Sequence, residues 1–292
     1  MKKSLLASVF TVLLLMLILS CCGDGRPRYR IGVSQCSQDD WRVKVNDEIN
    51  REMIFHDNAE VEIRSARDNN AKQIADIRYF IDNNFDAIIV SPNEAGAITP
   101  IIEEAYSKGI PVVVFDRDIN SERYTAKVAV DNEGIGREAA HYGRSIIEGE
   151  FNVLEFQGLK GSSPTSARHK GFVEAIAGMP DSRIVSSHFA DWYELDAEKA
   201  TDSLLKVHPE VNLIFAHNDR MAIGAARSAR RQGRRDIKIL GVDAAPNLGI
   251  KAVADSVIDA TFLYPTEGHL LVQTAMNILE NKPYDAKVLI PA

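Results

Sequence analysis

Short apolar segments alternate with amphipathic segments along most of the chain, and this alternation constrains the fold more than any other feature. Ala87–Val90 and Val112–Phe115 are apolar, largely β-branched runs bounded by turn residues, as in strands buried inside a parallel sheet. Ala71–Ile81 carries apolar residues at a spacing of about 3.6 and is followed by asparagines, which predicts a helix that ends there. The alternation therefore predicts βαβ units and an α/β fold.

The alternation occurs twice, in two arrays of similar size. The first is predicted to contain the strands Arg28–Ser34, Glu60–Arg64, Ala87–Val90 and Val112–Phe115 and the helices Trp41–Phe55, Ala71–Ile81 and Ala97–Ser107. The second is predicted to contain the helices Gly136–Ile147, Ser166–Ala177, Leu195–Lys206 and Arg220–Gln232 and the strands Asn152–Phe156, Arg183–Phe189, Leu213–Ala216 and Ile237–Val242. Two such arrays predict two doubly wound lobes. Because no Pro/Gly/Ser-rich linker lies at Val130-Asp131, we expect a tight hinge crossover there.

Composition and charge exclude several classes of protein. With 292 residues, 45% hydrophobic and 26% charged, the chain has the composition of a soluble globular protein rather than a disordered, collagen-like or multi-span membrane protein. Its length suffices for a core without disulfide staples. The formal net charge of −7, without a long basic run, argues against nucleic acid as a partner.

The N-terminal residues have the layout of an export signal. Lys2 and Lys3 precede an uncharged stretch that runs to Gly23, the order of a basic and then an apolar signal region. The sequence before Cys21 looks like a lipoprotein processing box, which predicts lipidation of that cysteine. An uncleaved anchor is the alternative, since about 20 uncharged residues can span a bilayer. Cys36 is the only cysteine beyond this segment, so no intramolecular disulfide is expected there, and we predict a buried apolar role for it.

Polar and aromatic residues gather at the predicted carboxyl ends of the strands, the edge where such sheets bind ligands. They are Ser34, Gln38, Asp40, Trp41, Asp116, Arg117, Arg168, Trp192, Asn218 and Asp243. Carboxylate and guanidinium groups make paired hydrogen bonds to neighbouring hydroxyls, and an indole ring covers the C–H face of a sugar. These residue types together predict a polar cleft with flat apolar walls that is suited to a sugar.

The order of several motifs carries a resemblance to a known family. The motifs are Gly32–Ser34, Phe115–Arg117, Asp131-Asn132, Gln157-Gly158, Arg168–Phe172, Ala216–Ala222 and Gly241–Asp243. Over roughly residues 28–290 the chain resembles the ribose-type periplasmic sugar-binding proteins, whose fold is shared by the ligand domains of LacI-type repressors. The resemblance implies the type I periplasmic binding protein fold, with two lobes joined by a hinge of several crossovers, and a periplasmic location in a Gram-negative bacterium.

The resemblance also implies roles for individual residues. Asp116, Arg117, Arg168, Asn218 and Asp243 would hold the sugar hydroxyls, Trp41 and Trp192 would enclose the ring, and Ser34, Gln38 and Tyr264 would occupy further pocket positions. Asp40 stands where the ribose binders carry a second aromatic residue, and Tyr264 stands where they carry an amide. These two departures predict a hydroxyl pattern or sugar size that differs from ribose, and fructose is our suggestion.

Other interpretations of single residues are open at this point. Asp39 and Asp219 are expected to be helix N-caps, and Asp40 is either a cap or a ligand residue. Gly134–Ala139 fits a loose dinucleotide fingerprint, which would suit an exported NAD-binding α/β enzyme. The acidic residues just before it would repel a pyrophosphate, however, so we favour a helix start. His spacing gives no metal motif, and we expect neither cofactor nor catalysis.

The expected function is closure around a monosaccharide, sensed by a membrane partner. That partner would be a transporter permease or a sensor kinase, the latter as in the hybrid two-component receptors of gut bacteria, which the arrangement resembles. We expect residues 1–25 to form the signal or anchor, residues 28–130 with about 262–287 to form the first lobe, and residues 131–261 with the C-terminal end to form the second. Lys287–Ile290 is expected to be a third hinge crossover, and the receptor chain is expected to continue downstream.

Overall fold

The computed structural model describes residues 29–291, so the predicted signal and Cys21 lie outside the described residues. Two parallel sheets with helices on both faces form two lobes. The first sheet contains β1 (Tyr29–Gln35), β2 (Ala59–Ser65), β3 (Ala87–Val90), β4 (Val112–Phe115), β5 (Ala126–Val130) and β11 (Lys287–Ile290), in the order β11-β5-β4-β3-β1-β2. Its helices are α1 (Asp40–Met53), α2 (Asn70–Asp82), α3 (Ala95–Ser107) and α9 (Gly268–Leu279).

The second sheet has the order β10-β9-β8-β6-β7. Its strands are β6 (Phe151–Gln157), β7 (Ser182–Phe189), β8 (Leu213–Ala216), β9 (Lys238–Asp243) and β10 (Ala260–Leu263). Its helices are α4 (Asn132–Ser145), α5 (Ser163–Ala177), α6 (Glu194–Val207), α7 (Asp219–Arg231) and, after a π-helical turn at Pro246–Ile250, α8 (Lys251–Ala254). The predicted fold class, two doubly wound βα lobes, is confirmed.

The chain crosses between the lobes after β5 and again after β10. The expected position of the C-terminal end is wrong: β11 pairs with β5 in the first sheet, with Lys287 opposite Lys127 and Ile290 opposite Val130. Lys287–Ile290 is therefore a first-lobe strand rather than a crossover. β10 ends at Leu263, close to the expected boundary at about residue 262. The position of β11 was mispredicted because the sheet that a short strand joins is decided by packing partners distant in sequence.

The core forms because the strands are apolar on both sides. All four residues of β3 and of β4 are buried, as parallel strands between two helical layers require. One apolar cluster continues from the first lobe into the second and includes Val45, Val113, Phe172 and Leu240. Cys36 is buried and free, as predicted. Within residues 29–291 no helix has the length and apolar character needed to cross a bilayer.

Candidate ligand-binding cleft

A cavity of about 130 Å³ lies between the lobes at the carboxyl ends of the strands. An apolar cavity of roughly 150 Å³ holds a molecule the size of benzene, so this space suits a ligand with one ring. Asp116, Asp191, Trp192 and Asp243 line it and all have positive backbone φ, from 49° to 115°. Such conformations cost about 1–3 kcal/mol each and tend to gather at functional sites. With Asp68, five of the twelve non-glycine residues with positive φ among the described residues line this cavity.

Asp116 is the centre of the first-lobe wall. Its carboxylate accepts hydrogen bonds from the Arg42 guanidinium, from Ser91 Oγ at 2.9 Å and from the Tyr264 hydroxyl at 2.6 Å. Burial alone would raise its pKa, but the charges of Arg42 and Arg117 and these hydrogen bonds outweigh burial and hold the pKa of Asp116 below its usual range. Asp116 is therefore an ionised acceptor, oriented by its neighbours before any ligand arrives.

Trp41 provides a flat apolar wall on the same side. Its indole N–H donates to the Tyr264 carbonyl at 3.0 Å, and the two rings lie 5.1 Å apart. The Arg42 guanidinium lies 4.6 Å from the Trp41 ring centre. Burial and the Asp116 charge raise the pKa of Tyr264, so its phenol keeps the proton that it donates. The ring of Trp41 is thus fixed in orientation by packing and by its own hydrogen bond.

Arg168 is the main cation of the second-lobe wall. Two glycines position it, because a Cβ on Gly136 would lie 2.1 Å from the Arg168 carbonyl and one on Gly171 would lie 2.0 Å from the Glu133 carbonyl. Only glycine allows α4 and α5 to approach so closely. Arg168 Nε donates to Asn132 at 2.9 Å and Nη1 donates to the His217 carbonyl. Among the described residues Arg168 has no carboxylate partner, so its remaining nitrogen is available to the cavity.

A buried charged network lies behind Arg168. The Glu155 carboxylate accepts hydrogen bonds from His217 Nε2 at 3.0 Å, from His169 Nδ1 at 2.8 Å and from the Ser187 hydroxyl. Burial opposes ionisation of Glu155, but these hydrogen bonds hold its pKa well below the usual range. The hydrogen bond to Glu155 raises the pKa of His169, whereas burial lowers that of His217. The network fixes the His217 carbonyl that receives Arg168.

Asp243 is one of the cavity carboxyl groups that the described residues leave without a hydrogen-bond partner, as is Asp191. The Asp243 side chain has no hydrogen-bond donor among residues 29–291, and burial together with the nearby Asp219 charge raises its pKa well above the usual range. The Trp192 indole N–H is likewise buried without a partner in the described structure. The Asp243 carboxyl group, the Trp192 indole N–H and the free nitrogen of Arg168 therefore lie at one cavity without partners among the described residues.

Contacts between the lobes close the cavity. Arg220 pairs with Asp40 at 2.6 Å, the Tyr193 hydroxyl donates to Asp68 at 3.1 Å, and the Asp118 backbone N–H donates to Ser163 Oγ at 2.8 Å. Each contact joins a first-lobe residue to a second-lobe residue. The described conformation is therefore a closed one.

The structure brings together nearly all of the residues that the sequence singled out. Those lining the cavity are Gln38, Asp40, Trp41, Asp116, Arg117, Arg168, Trp192, Asn218, Asp243 and Tyr264. Ser34 does not line it: the side chain is fully buried within β1, where its Oγ accepts from Gln73 at 3.2 Å. That these residues bind a ligand stays a prediction.

Several cavity residues escaped the sequence analysis, and two of them are arginines. Arg42 and Arg220 both line the cavity. Arg42 has one available signal, since it lies three residues before Val45 and seven before Ile49, on the buried stripe of α1. No comparable signal marks Arg220, whose partner Asp40 belongs to the other lobe.

The helix caps confirm one expectation and correct another. Asp39 is the N-cap of α1 and accepts from the Arg42 backbone N–H at 2.8 Å. Asp219 is not a cap, because Asn218 occupies that position in α7 and accepts from the Met221 backbone N–H. Asp219 instead turns its buried carboxylate toward Thr261, whose hydroxyl donates to it at 2.5 Å. Asp40 is the first residue of α1 and contacts the opposite lobe rather than capping the helix.

The dinucleotide alternative does not fit the geometry. Gly134 lies in the first turn of α4 and Gly136 follows in the second, and the Asp131 carboxylate already accepts a hydrogen bond from the Gly134 backbone N–H at 2.8 Å. A pyrophosphate would need that helix N-terminus free of negative charge. Gly136 serves the close packing of α4 against α5. Within residues 29–291 no group of three or more His, Cys, Asp or Glu side chains is placed to hold a metal ion.

Comparisons with known proteins point to binding proteins. The chain is 29% identical over 227 residues to the ribose import binding protein of Escherichia coli (strain K12), covering 77% of this chain and 76% of that one. The corresponding protein of Bacillus subtilis (strain 168) is 30% identical over 231 residues, covering 78% and 74%.

Solved structures agree in fold. The fructose-binding periplasmic domain of a hybrid two-component system has a TM-score of 0.88 at 48% identity, covering 90% of this chain and 88% of that one. The binding protein of an arabinose ABC transporter from Shewanella sp. ANA-3 has a TM-score of 0.83 at 26% identity, covering 90% and 89%. These relatives are binding proteins and a sensor domain, not enzymes. The model of the periplasmic binding protein domain matches residues 31–283, and the chain belongs to that family.

Proposed function

We propose that the protein binds a monosaccharide in the cleft and that closure around the sugar is its functional output. The observation that carries this proposal is the set of unpaired groups at one ring-sized cavity: the Asp243 carboxylate, the Trp192 indole N–H and the free nitrogen of Arg168. A buried polar group without a partner costs about 1–3 kcal/mol. A polyol supplies both donors and acceptors, and therefore pairs all three.

Fructose is the sugar that we propose. The support is the 48% identity to a fructose-binding periplasmic domain, against 29–30% for the ribose import proteins. The departures at Asp40 and Tyr264 add to it. The Tyr264 hydroxyl is already committed to Asp116, so this residue shapes the pocket where an amide would offer a free donor.

We further propose that a membrane protein reads the closure, and that the chain stays attached to the membrane through its N-terminal segment in the periplasm. A ligand that contacts both lobes favours the closed state, because it gains the second set of contacts only there. The likeness to a hybrid two-component sensor domain favours a sensor kinase as the reader. The likeness to import binding proteins supports the second candidate, a transporter permease.

Titration calorimetry on the chain with fructose, ribose, allose, glucose, galactose and NAD tests the ligand. We expect fructose to bind more tightly than the other sugars, and NAD not to bind. A stronger response to another monosaccharide would replace fructose but keep the sugar-binding function. Tight NAD binding without a response to any sugar would overturn the proposal.

Membrane fractionation with and without substitution of Cys21 by serine tests the attachment. Loss of membrane retention only in Cys21→Ser would identify the lipid as the attachment, and retention in both proteins would identify an uncleaved anchor. Soluble protein in both cases would contradict attachment.

A further inference from the structure

Ile54 and Phe55 form an exposed apolar pair at the end of α1. Their side chains are 73% and 79% exposed, and Phe55 is the most exposed large apolar side chain within residues 29–291. Adjacent apolar residues this exposed need an explanation when the fold does not use them. We call Ile54 and Phe55 the apolar tip.

The apolar tip lies beside the point where the N-terminal segment enters the domain. The Tyr29 backbone N–H donates to the Asn58 carbonyl at 2.9 Å, so the loop that follows the tip contacts the first residue of β1. Tyr29 begins β1, whereas the cleft lies at the carboxyl ends of the strands. The tip and the cleft are therefore at opposite ends of the first lobe.

The segment between Cys21 and Tyr29 is too short to hold the domain far from a membrane to which Cys21 or the preceding residues are attached. Only residues 22–28 separate Cys21 from Tyr29, and eight fully extended steps span at most about 28 Å. A lipid on Cys21 and an uncleaved anchor ending near Gly23 both keep the bilayer within that reach. Arg26 and Arg28 lie in this stretch, and basic residues next to a membrane are attracted to anionic headgroups.

We propose that the apolar tip inserts into the bilayer that holds the N-terminal segment, as a second and weaker membrane contact. The inference rests on the proposed membrane attachment. Two side chains bury too little apolar surface to hold a free domain on a membrane, but a short tether raises their effective concentration at the surface. The contact would fix the first lobe with its cleft pointing away from the lipid, so that closure moves the second lobe relative to a stationary first lobe.

A depth measurement on the full chain tests the contact. The chain is reconstituted in vesicles of phosphatidylethanolamine and phosphatidylglycerol that contain nitroxide-labelled lipid, with a fluorescent amino acid at Asp57, beside the tip. The matched control carries the same reporter at Val207, which is 70% exposed and lies at the far end of the second lobe. We expect several-fold stronger quenching at position 57. The double variant Ile54→Ser/Phe55→Ser should lower that quenching to the Val207 level without changing sugar affinity.

The outcomes separate this inference from the function that it rests on. Membrane retention after a carbonate wash with equal quenching at both positions would overturn the tip contact alone. Release of the chain by the wash would overturn the attachment and the contact together, while a sugar titration on the released protein still reports ligand binding. A third outcome is that the nitroxide lipid does not quench the reporter at position 57, while its exposure to solvent falls as the protein density on the vesicles rises. That result would overturn the membrane contact in favour of pairing between two copies of the chain.

Discussion

Asp40 and Arg220 form an ion pair across the mouth of the cleft, with Arg220 Nη2 at 2.6 Å and Nε at 3.1 Å from the same Asp40 oxygen. The two side chains belong to different lobes and are 51% and 43% exposed. This pair can form only when the lobes are close, so it stabilises the closed state whether or not a ligand is present.

Removal of the pair should weaken sugar binding modestly. An exposed ion pair contributes about 0.2–1 kcal/mol, so we expect Arg220→Ala to raise the Kd by up to about fivefold and to lower its salt dependence. Titration calorimetry at two salt concentrations measures both. Arg227→Ala is the matched control, because the partners of Arg227 among residues 29–291, Glu194 and Glu198, both belong to the second lobe. A loss far above tenfold would mean that Arg220 contacts the sugar directly.

Asp243 should matter more if the proposed site is correct, because its carboxyl group has no hydrogen-bond partner among residues 29–291. A buried group that loses its hydrogen-bond partner costs about 1–3 kcal/mol, so Asp243→Ala is expected to weaken binding by about one to two orders of magnitude. Asp196→Ala removes an exposed carboxylate on α6 and should leave the Kd unchanged. Equal affinity in the wild type and Asp243→Ala would remove Asp243 from the site.

Arg42 and Asp116 should behave as a buried pair whose members depend on each other. Their side chains are 5% and 4% exposed, and loss of one partner from such a pair typically costs about 3–5 kcal/mol. We expect Arg42→Met to lower the free energy of unfolding by that order in urea at pH 7. The double variant Arg42→Met/Asp116→Asn should recover part of the loss, since the Asp116 charge is then no longer buried without Arg42. The recovery is incomplete because Arg117, 3.8 Å from Asp116, loses its carboxylate partner. Additive losses would show that the two side chains do not interact.

The Asp219–Asp243 neighbourhood should make stability fall as the pH rises. Burial raises the pKa of Asp219 above its usual 3.8, so the folded protein binds this proton more tightly than the unfolded chain does. Its contribution to the free energy of unfolding therefore decreases as the pH rises from the unfolded pKa through the folded one, by at most about 1.4 kcal/mol per pH unit for one proton. Urea unfolding between pH 5 and 8 should show a smaller decrease for Asp219→Asn than for the wild type. An unchanged slope would contradict the elevated pKa.

The sequence predicted most accurately the strands that are recognisable from a single buried apolar segment. The expected bounds of β3, β4 and β8 match the observed ones because each is an apolar run enclosed on both faces. β5, β10 and α9 were missed, and β11 was placed in the wrong lobe. β10 and β11 are sheet-edge strands with weak patterns of their own, so partners elsewhere in the chain decide where they lie.

The candidate site shows the same division. Most of its residues directly follow strands. In a parallel sheet the carboxyl ends of the strands lie at one edge, so these residues can be predicted to lie close together without knowledge of the packing. Arg42 was missed because an arginine in an amphipathic helix is usually solvated. Its position on the buried stripe of α1 was the available signal, and Asp116 supplies the partner that lets the charge be buried. Ser34 was misplaced because one step along a strand turns a side chain from the cleft into the core.

Asn132 gives the hinge an unusual property. Its Oδ1 accepts a hydrogen bond from Arg168 at 2.9 Å, and its Nδ2 lies 3.5 Å from the Tyr264 hydroxyl. Asn132 lies on the first crossover between the lobes. It therefore contacts Arg168, a cavity residue of the second lobe, and Tyr264, a cavity residue on the second crossover. The hinge and the residues that line the cavity are therefore joined in a single hydrogen-bonded unit. We expect a rotation of the lobes to rearrange this unit, so a ligand that binds Arg168 should restrain the hinge directly, without a relay through the body of either lobe.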